Sequence, residues 1–277
     1  MVINKSPLRY PGGKTRACKT LDTIVASNFD TTNINTVISP FFGGGSFEFF
    51  LQGKYNLKII ANDKFNPLAT FWKICSDSNH RNTLCTKLYT KVEIVTKDEF
   101  LNFRTCIMTE TDSIMQAYYY FIINRCSFSG ATLSGGFSNE SAKKRFTKSS
   151  VDRVKKLDLA LDKFEMHNKD FTNFIETNCT CNKNELVFLD PPYYLEKKSK
   201  LYGKNGDMHE EFDHRGLYDI LNKKKNLQWI MTYNDCKYIR DLYKNYTIIK
   251  IDWKYGMNKT KESSEIAIVK YFFEIKN

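Results

Sequence analysis

Residues 36–46 read Thr36-Val37-Ile38-Ser39-Pro40-Phe41-Phe42-Gly43-Gly44-Gly45-Ser46 and carry the clearest structural signal in the chain. The β-branched residues at the start of this stretch predict a short buried strand, and the glycines predict a tight turn. An aromatic run, Phe47 to Gln52, then predicts a helix. Glycines in such a unit let the backbone approach a ligand without a clash from a Cβ atom. We therefore expect a ligand-binding turn at Gly43 and Gly45, with a plain tight turn as the alternative.

Two acidic residues follow predicted strands elsewhere in the chain. The apolar run Leu57 to Asn62 ends at Asp63, and the run Leu186 to Leu189 ends at Asp190. The carboxyl ends of parallel strands meet at one edge of a sheet, so we expect both acids beside the glycine turn. An acid in the place of Asp63 can accept hydrogen bonds from both hydroxyls of a ribose. The position of the third glycine of a dinucleotide fingerprint holds Glu48, which disfavours a nicotinamide cofactor.

The second acid begins the turn Asp190-Pro191-Pro192-Tyr193. Two prolines stiffen the backbone and remove both N–H donors, so the backbone of this turn offers only carbonyl acceptors. A carboxylate beside a rigid carbonyl suits an NH2 group, and Tyr193 offers a flat face on which a nucleobase can stack. These features predict a site that grips the amino group of a base. A proline-rich turn that merely ends a strand is the alternative.

Composition limits the class of protein. The chain has 277 residues and a formal net charge of +11, which favours a polyanionic partner such as nucleic acid. A lysine-rich, AT-biased genome is the other explanation of that charge. The eight cysteines are scattered without metal-ligand spacing, which predicts free thiols in a reducing, cytoplasmic setting. No apolar run is long enough to span a membrane, and we see no secretory signal in residues 1–16.

Alternation of strands and helices at both ends of the chain predicts an α/β fold with a mixed, mainly parallel, Rossmann-like sheet. Later strands are predicted at 228–232, 247–252 and 265–273. The middle differs, since helical patterns at 79–90, 97–107 and 112–124 precede a polar stretch, 125–150, that we predict to be a loop. We therefore expect a catalytic domain formed by residues 1–75 and 163–277, with an inserted domain at 76–162.

Two further patterns predict no site of their own. Gly12-Gly13-Lys14-Thr15 resembles part of a P-loop, but Leu8 stands where that motif needs glycine and no strand precedes it. The four histidines lack partners at ligand spacing and are interpreted as structural or exposed, so no metal site is predicted.

The motifs together resemble the Dam-like, D12 class of N6-adenine DNA methyltransferases, in the α-group order. The similar stretches are residues 6–14, residues 41–46, the pair Asn62-Asp63 and the turn at residues 190–193. The resemblance implies a fold of the class I methyltransferase type, the cofactor S-adenosyl-L-methionine and no metal. It also implies that the inserted domain recognises the DNA target. The expected cofactor-binding residues, including the glycine turn, are Tyr10, Lys14, Phe41, Gly43, Gly45, Asp63, Asp170, Phe171 and Asp190.

The DNA-binding residues are expected in the inserted domain. Asn124-Arg125 and the segment Ser127-Phe128-Ser129-Gly130 resemble the start of the family's DNA-reading segment. Asn124, Arg125 and Ser127 are therefore expected to bind DNA, and we predict that Arg125 makes a bidentate guanine contact. The sequence after Arg125 departs from that of GATC-reading relatives, so a GATC target is not predicted. A basic cluster around Phe146 is predicted to contact phosphates or, as the alternative, to be a solvated charge run: Lys143, Lys144, Arg145 and Lys148. Four lysines after the catalytic turn are predicted to order over DNA: Lys197, Lys198, Lys200 and Lys204.

The predicted reaction is direct methyl transfer to the N6 amine of an adenine flipped out of duplex DNA. The predicted catalytic residues are Asp190, Pro191, Pro192 and Tyr193, with Tyr194 or Phe41 closing the other face of the base. Alternatives are an S-adenosylmethionine-dependent enzyme acting on RNA or a protein amide, and an inactive DNA-binding relative. The expected partners are double-stranded DNA and a separate cognate restriction endonuclease, with the chain a monomer or weak dimer.

Overall fold

The computed structural model describes residues 4–130, 132–160, 162–194, 212–251 and 265–271. The described strands are β1 (Thr36–Ser39), β2 (Lys58–Asn62), β3 (Phe164–His167), β4 (Glu185–Leu189), β5 (Trp229–Asn234), β6 (Thr247–Ile251) and β7 (Glu265–Lys270). The described α-helices are α1 (Cys18–Asn28), α2 (Ser46–Tyr55), α3 (Asn66–Ser76), α4 (Ser78–Tyr89), α5 (Lys97–Cys106), α6 (Ser113–Cys126), α7 (Asn139–Arg145), α8 (Lys148–Lys155), α9 (Phe171–Asn178), α10 (His214–Lys223) and α11 (Lys237–Leu242). Short 3-10 helices lie at Lys14–Arg16 and Phe128–Gly130.

The seven strands form one sheet in the order β3-β2-β1-β4-β5-β7-β6. The five strands from β3 to β5 are parallel, whereas β7 runs antiparallel to both β5 and β6. The sheet is therefore mixed and mainly parallel, as predicted from the sequence. The strand order reverses between β1 and β4, and the crevice at such a reversal is where ligands bind in α/β sheets. The glycine turn follows β1 at this point, and Asp190 follows β4.

Both faces of the sheet are covered by helices, and β4 shows how its sequence fits this arrangement. All five of its residues are buried. Leu186 and Phe188 belong to the hydrophobic cluster on one face, and Val187 and Leu189 belong to the cluster on the other. A parallel strand covered on both faces needs such a continuous apolar run. The run ends at Asp190, which places its carboxyl group at the rim of the sheet.

The helices between β2 and β3 belong to the hydrophobic cluster that also contains Leu186 and Phe188 of the sheet. The rings of Phe71 in α3 and Phe121 in α6 are stacked with centroids 5.7 Å apart, and Phe146 packs edge-on against Phe121 at 6.1 Å. All three side chains are fully buried in the same cluster as the sheet residue Phe164. Residues 76–162 are thus helical but share a continuous core with the sheet, and the predicted domain limits stay a prediction.

One secondary-structure prediction was wrong, and one strand was not predicted. The stretch 125–150 is not a continuous loop, because it contains α7 and the start of α8. Ser138 accepts a hydrogen bond from the Ser141 amide at 3.1 Å, and Thr147 begins α8 with a capping box. These N-cap residues are the start signals of helices. Strand β3 was not predicted, since its four residues alternate between buried and half-buried rather than forming an apolar run.

Other predictions fall partly on residues that the structure does not describe. Lys197, Lys198, Lys200 and Lys204 lie outside the described residues, as do His209 and the predicted strand ends at Asp252 and at 272–273. In the part of the chain that is described, none of the helices has the length and apolar character needed to cross a lipid bilayer.

Candidate active site

The glycine turn after β1 requires glycine at two positions. Gly43 and Gly45 have φ values of +50° and +65°. A Cβ atom on Gly45 would lie 2.3 Å from the ring of Phe42, and one on Gly43 would lie 2.8 Å from the ring of Tyr10. The half-buried Tyr10 ring therefore packs directly on the turn. This contact brings the N-terminal loop and the end of β1 together, as two of the predicted cofactor-binding elements.

Asp63 lies at the end of β2 with its carboxylate turned towards this loop. Its Oδ2 accepts a hydrogen bond from the Gly43 amide at 3.0 Å, and its Oδ1 accepts one from the Phe65 amide at 2.9 Å. The side chain is 9% exposed, and burial raises the pKa of the carboxyl to about 6 against these two hydrogen bonds. Each oxygen retains a lone pair, so the carboxylate can still accept hydrogen bonds from hydroxyl groups of a ligand.

Asp190 forms a buried ion pair with Lys14. The Lys14 Nζ lies 2.8 Å from Asp190 Oδ1 and donates to the Gly12 carbonyl at 2.9 Å. The Thr232 hydroxyl of β5 donates to the same Oδ1 at 2.6 Å. The Lys14 side chain is 5% exposed and that of Asp190 is 22% exposed. The sequence predicted both residues at the site, but it did not predict that they bind each other.

Tyr193 and Tyr194 line the same edge of the sheet. The Tyr193 ring centroid is 5.1 Å from Lys14 Nζ and 6.0 Å from the ring of Tyr233, and burial raises the pKa of the Tyr193 phenol well above its usual range. Tyr194 stacks on Tyr238 at 4.4 Å, and the Asn234 amide donates to the Tyr194 carbonyl at 2.8 Å. The two tyrosines that follow Asp190 therefore pack against aromatic side chains of β5 and α11.

Three phenylalanines form a second aromatic group at this edge. The rings of Phe41, Phe171 and Phe212 lie 5.3 to 5.7 Å apart. Asp170, next to Phe171, caps α9 by accepting from the Thr172 amide at 2.9 Å and lies 3.3 Å from Lys64 Nζ. The pair Asp170 and Phe171 thus lies beside Phe41. This arrangement offers apolar ring faces next to an exposed carboxylate.

The structure contradicts the predicted guanine contact of Arg125. Its guanidinium donates to the Arg145 carbonyl through Nε and Nη2 and to the Pro7 carbonyl through Nη1, and the residue is 5% exposed. Burial, together with the charges of Arg153, Arg9 and Arg145, lowers its pKa to about 9. A guanidinium occupied by backbone carbonyls cannot at the same time read a base edge.

Asn124 and Ser127 are likewise buried rather than presented to DNA. Asn124 accepts a hydrogen bond from the Arg9 amide at 2.9 Å and donates to the Arg9 carbonyl at 2.7 Å. The Arg9 guanidinium donates to the Ser127 carbonyl at 3.3 Å and to the Ser141 hydroxyl at 3.2 Å. Residues 124–127 therefore hold the N-terminal loop, which carries Tyr10 and Lys14.

The basic cluster lies on the surface. Lys143, Lys144, Arg145 and Lys148 are exposed, although Lys144 lies 3.1 Å from Glu140. Phe146 is fully buried and anchors the cluster to the core, so it is not available to DNA. Phe128 is 70% exposed and lies in the segment after Arg125.

Sequence reasoning missed three residues that complete the site. Thr232 fixes Asp190, Arg9 joins the N-terminal loop to α6 and α7, and Glu48 is a buried carboxyl group close enough to Asp190 and Lys14 to interact with their charges. Glu48 comes shortly after the glycine turn, so its place in the sequence was a usable signal. Thr232 gave none, because it lies inside an ordinary strand.

The described residues fit S-adenosylmethionine. Asp63 places acceptors for ribose hydroxyls at the end of β2, and the positive-φ glycines keep the neighbouring turn free of side chains. The Phe41 and Phe171 rings suit an adenine ring, and Asp190 adds a negative charge for a cationic centre. Among the described residues, no group of three or more metal-ligating side chains lies close enough together to bind a metal ion.

Comparison with known proteins identifies the family of this chain. Residues 10–257 match the model of the family described as D12 class N6 adenine-specific DNA methyltransferase. No curated protein matches the sequence. One similar solved structure is the rRNA methyltransferase aviRa from Streptomyces viridochromogenes, with a TM-score of 0.38, 12% identity, and coverage of 94% of this chain and 86% of that one. Because the family model spans most of its length, the chain belongs to the D12 class of N6 adenine-specific DNA methyltransferases.

Proposed function

We propose that this enzyme methylates the N6 amine of an adenine that is flipped out of a short duplex DNA motif. The observation that carries this proposal is the arrangement of Asp190, which is fixed by Lys14 and Thr232 at the strand reversal next to the glycine turn. A base inside a duplex cannot reach such a recessed carboxylate, and extruding it costs a few kcal/mol of unstacking.

The two oxygens of Asp190 have different roles in this mechanism. Lys14 and Thr232 both bind Oδ1, which fixes the orientation of the carboxylate. Oδ2 makes no hydrogen bond to the described residues and is left to accept one proton of the adenine amine. The carbonyl of Pro191 accepts the other, because the two prolines hold the turn rigid. Hydrogen bonds to both N–H groups of the amine favour a localised lone pair on its nitrogen. Acceptors that are already fixed in place need no reorganisation during the reaction.

The remaining site residues position the two substrates. S-adenosylmethionine supplies an activated methyl group on a cationic sulfur when it is bound. Asp63 accepts from the ribose hydroxyls, Phe41 and Phe171 hold the adenine ring with Asp170, and Tyr10 encloses the glycine turn. Tyr193 stacks on the flipped base, with Tyr194 on the outer side. Holding both reactants in line accounts for much of the expected rate gain.

Residues 76–162 supply the DNA-binding surface in this proposal. The exposed cations Lys143, Lys144, Arg145 and Lys148 contact phosphates and therefore position the duplex without reading sequence. The exposed Phe128 is a second candidate contact, with a base or a sugar. Arg125 and Asn124 act only indirectly, by holding the loop of Arg9.

The proposal is tested by expressing the enzyme in a host that lacks DNA methylation and sequencing its DNA for modified bases. We expect N6-methyladenine at one short motif. Asp190→Ala should remove the mark, whereas Asp219→Ala, which removes an exposed acid on α10, should leave it. Methylation of RNA or protein without methylation of DNA would refute the substrate. Methylation that persists in Asp190→Ala would refute the catalytic assignment.

A further inference from the structure

Glu48 is a buried carboxyl group that the mechanism above does not use. It lies in the first turn of α2 and is 2% exposed. Its Oε1 accepts a hydrogen bond from the fully buried Ser39 hydroxyl at 2.6 Å. No described cation lies within ion-pair distance of Glu48. An unpaired carboxylate in such surroundings is costly, so the group responds strongly to any charge brought near it.

The groups that face Glu48 come from four elements. Ser39 lies in β1, Asp190 follows β4, Lys14 belongs to the N-terminal 3-10 helix, and Cys18 begins α1. Burial raises the pKa of Glu48 to about 8, the charge of Asp190 raises it further, and Ser39 and Lys14 oppose the shift. Burial also raises the pKa of the Cys18 thiol to about 12, so it stays neutral. At neutral pH, Lys14 and Asp190 cancel each other and Glu48 carries its proton.

We infer that Glu48 gives up its proton when S-adenosylmethionine binds and keeps it when S-adenosylhomocysteine binds. The inference rests on the proposed function, since it concerns the same site. The methyl donor carries a permanent positive charge on sulfur, whereas the product carries a neutral thioether and is otherwise the same molecule. A cation bound against Asp190 stabilises a second negative charge in this buried cluster. Glu48 is therefore a charge-compensating residue that favours the donor over the product.

The other two acids of the site cannot take this role. Asp190 is already paired with Lys14 and bonded by Thr232. Asp63 has a pKa of about 6 and accepts two backbone hydrogen bonds, so it is largely ionised at pH 7.5 before any ligand arrives. Glu48, with a pKa of about 8, still carries a proton to release at that pH.

This coupling sets the pH dependence of binding. Because the donor favours ionised Glu48, the pKa of Glu48 is lower in the complex than the value of about 8 in the free protein. Affinity for the donor is full above that value and falls by up to about tenfold per pH unit as the pH drops below it. Affinity for the product stays flat over the same range. Selectivity for donor over product therefore rises with pH up to about 8.

The test is calorimetric titration of the intact enzyme with each ligand at pH 7.5, in two buffers of different ionisation enthalpy. The difference in heat gives the number of protons released. We expect S-adenosylmethionine to release more protons than S-adenosylhomocysteine, by a substantial fraction of one. The amino group of the ligand is common to both molecules, so its own titration largely cancels in this comparison. Glu48→Gln, an isosteric neutral variant, should remove the difference and the pH dependence.

A matched control is Glu185→Gln, which neutralises a buried glutamate at the opposite end of β4, where Thr180 binds it. This variant should release protons as the unchanged protein does. Equal proton release with both ligands, or an unchanged difference in Glu48→Gln, would overturn the inference and leave the proposed function intact. If neither ligand binds, the proposed function fails instead. The comparison on the unchanged protein decides the matter even where the Glu48 variant does not fold.

Discussion

Removing one partner or the other of the Lys14–Asp190 ion pair should lower the free energy of unfolding by different amounts. Asp190→Ala removes the anionic partner of a lysine that is 5% exposed and leaves its ammonium bonded to the Gly12 carbonyl. Lys14→Met instead leaves a carboxylate that is 22% exposed and still bonded by Thr232. Asp190→Ala leaves the Lys14 ammonium in a buried position, whereas Lys14→Met leaves the Asp190 carboxylate in partial contact with water. Asp190→Ala should therefore be the more destabilising change.

The magnitudes depend on the burial of the two groups. Breaking a buried pair costs about 3–5 kcal/mol when the remaining charge is uncompensated. We assign the lower end, about 3 kcal/mol, to Asp190→Ala because the neighbouring Glu48 carboxyl can ionise beside Lys14. Losing a hydrogen bond to a charged group that keeps other partners costs about 1.5–3 kcal/mol, which we assign to Lys14→Met. The double variant contains neither charge. It should lose about 2 kcal/mol less than the sum of the single variants, within the usual range for residues in contact.

The assay is urea denaturation of the two single variants and the double variant at pH 7, analysed as a double-mutant cycle. The control cycle uses Arg215 and Asp219 on α10, whose side chains are 66% and 57% exposed. An exposed pair of this spacing should couple by only about 0.3–0.5 kcal/mol. A Lys14–Asp190 coupling no larger than that of the control, or a Lys14→Met variant less stable than Asp190→Ala, would refute the ion pair as the buried anchor of the site.

Three further changes test other parts of the molecule. Asn124→Ala should cost about 2–4 kcal/mol in urea denaturation, since it strips the hydrogen bonds from both backbone groups of Arg9; a loss below about 1 kcal/mol would contradict the bracing role. Replacing Lys143, Lys144 and Arg145 with alanine should reduce the steepness of the salt dependence of DNA binding, measured as the slope of log binding constant against log salt concentration, by up to about 2.7. Alanine at Lys223 and Lys225 is the control and should leave this slope unchanged. Between pH 4.5 and about 8, ionisation of Glu48 opposes folding, because its pKa is raised in the folded protein. The free energy of unfolding of Glu48→Gln should therefore rise relative to that of the unchanged protein, by up to about 1.4 kcal/mol per pH unit over this range. Free energies of unfolding that change in parallel with pH would contradict this expectation.

Local patterns were enough to predict the centre of the fold and of the candidate site. The β-branched run before the glycine turn and the apolar run before Asp190 each specify a buried strand and the turn at its carboxyl end. Two parallel strands then bring Asp63 and Asp190 to one edge, whatever lies between them in sequence. The α/β class can be predicted from the same local signals, since it depends only on the alternation of elements.

The remainder depends on contacts between distant parts of the chain. Lys14 and Asp190 were both predicted at the site, but nothing in a sequence window shows that one neutralises the other. Arg125 was misassigned because residue type alone does not show which way a side chain points. A signal did exist, since α6 is apolar on nearly all sides and ten of its fourteen residues are buried. A helix that is apolar all round is a buried helix, so a basic residue near its end is expected to be buried with it.

The hydrogen bonds from Asn124 and Arg125 to the N-terminal loop make the two predicted domains depend on each other. Asn124 and Arg125 of α6 bind the backbone of Arg9 and Pro7, and the same short loop continues to Tyr10 and Lys14. Tyr10 packs on the glycine turn, and Lys14 neutralises Asp190. The loop that supplies the ion-pair partner of Asp190 is thus held by hydrogen bonds that originate in residues 76–162. A helical segment that only read DNA could be exchanged freely between relatives. Here an exchange that alters Asn124 or Arg125 would also disturb the loop that carries Lys14, so this part of α6 is constrained by the residues around Asp190.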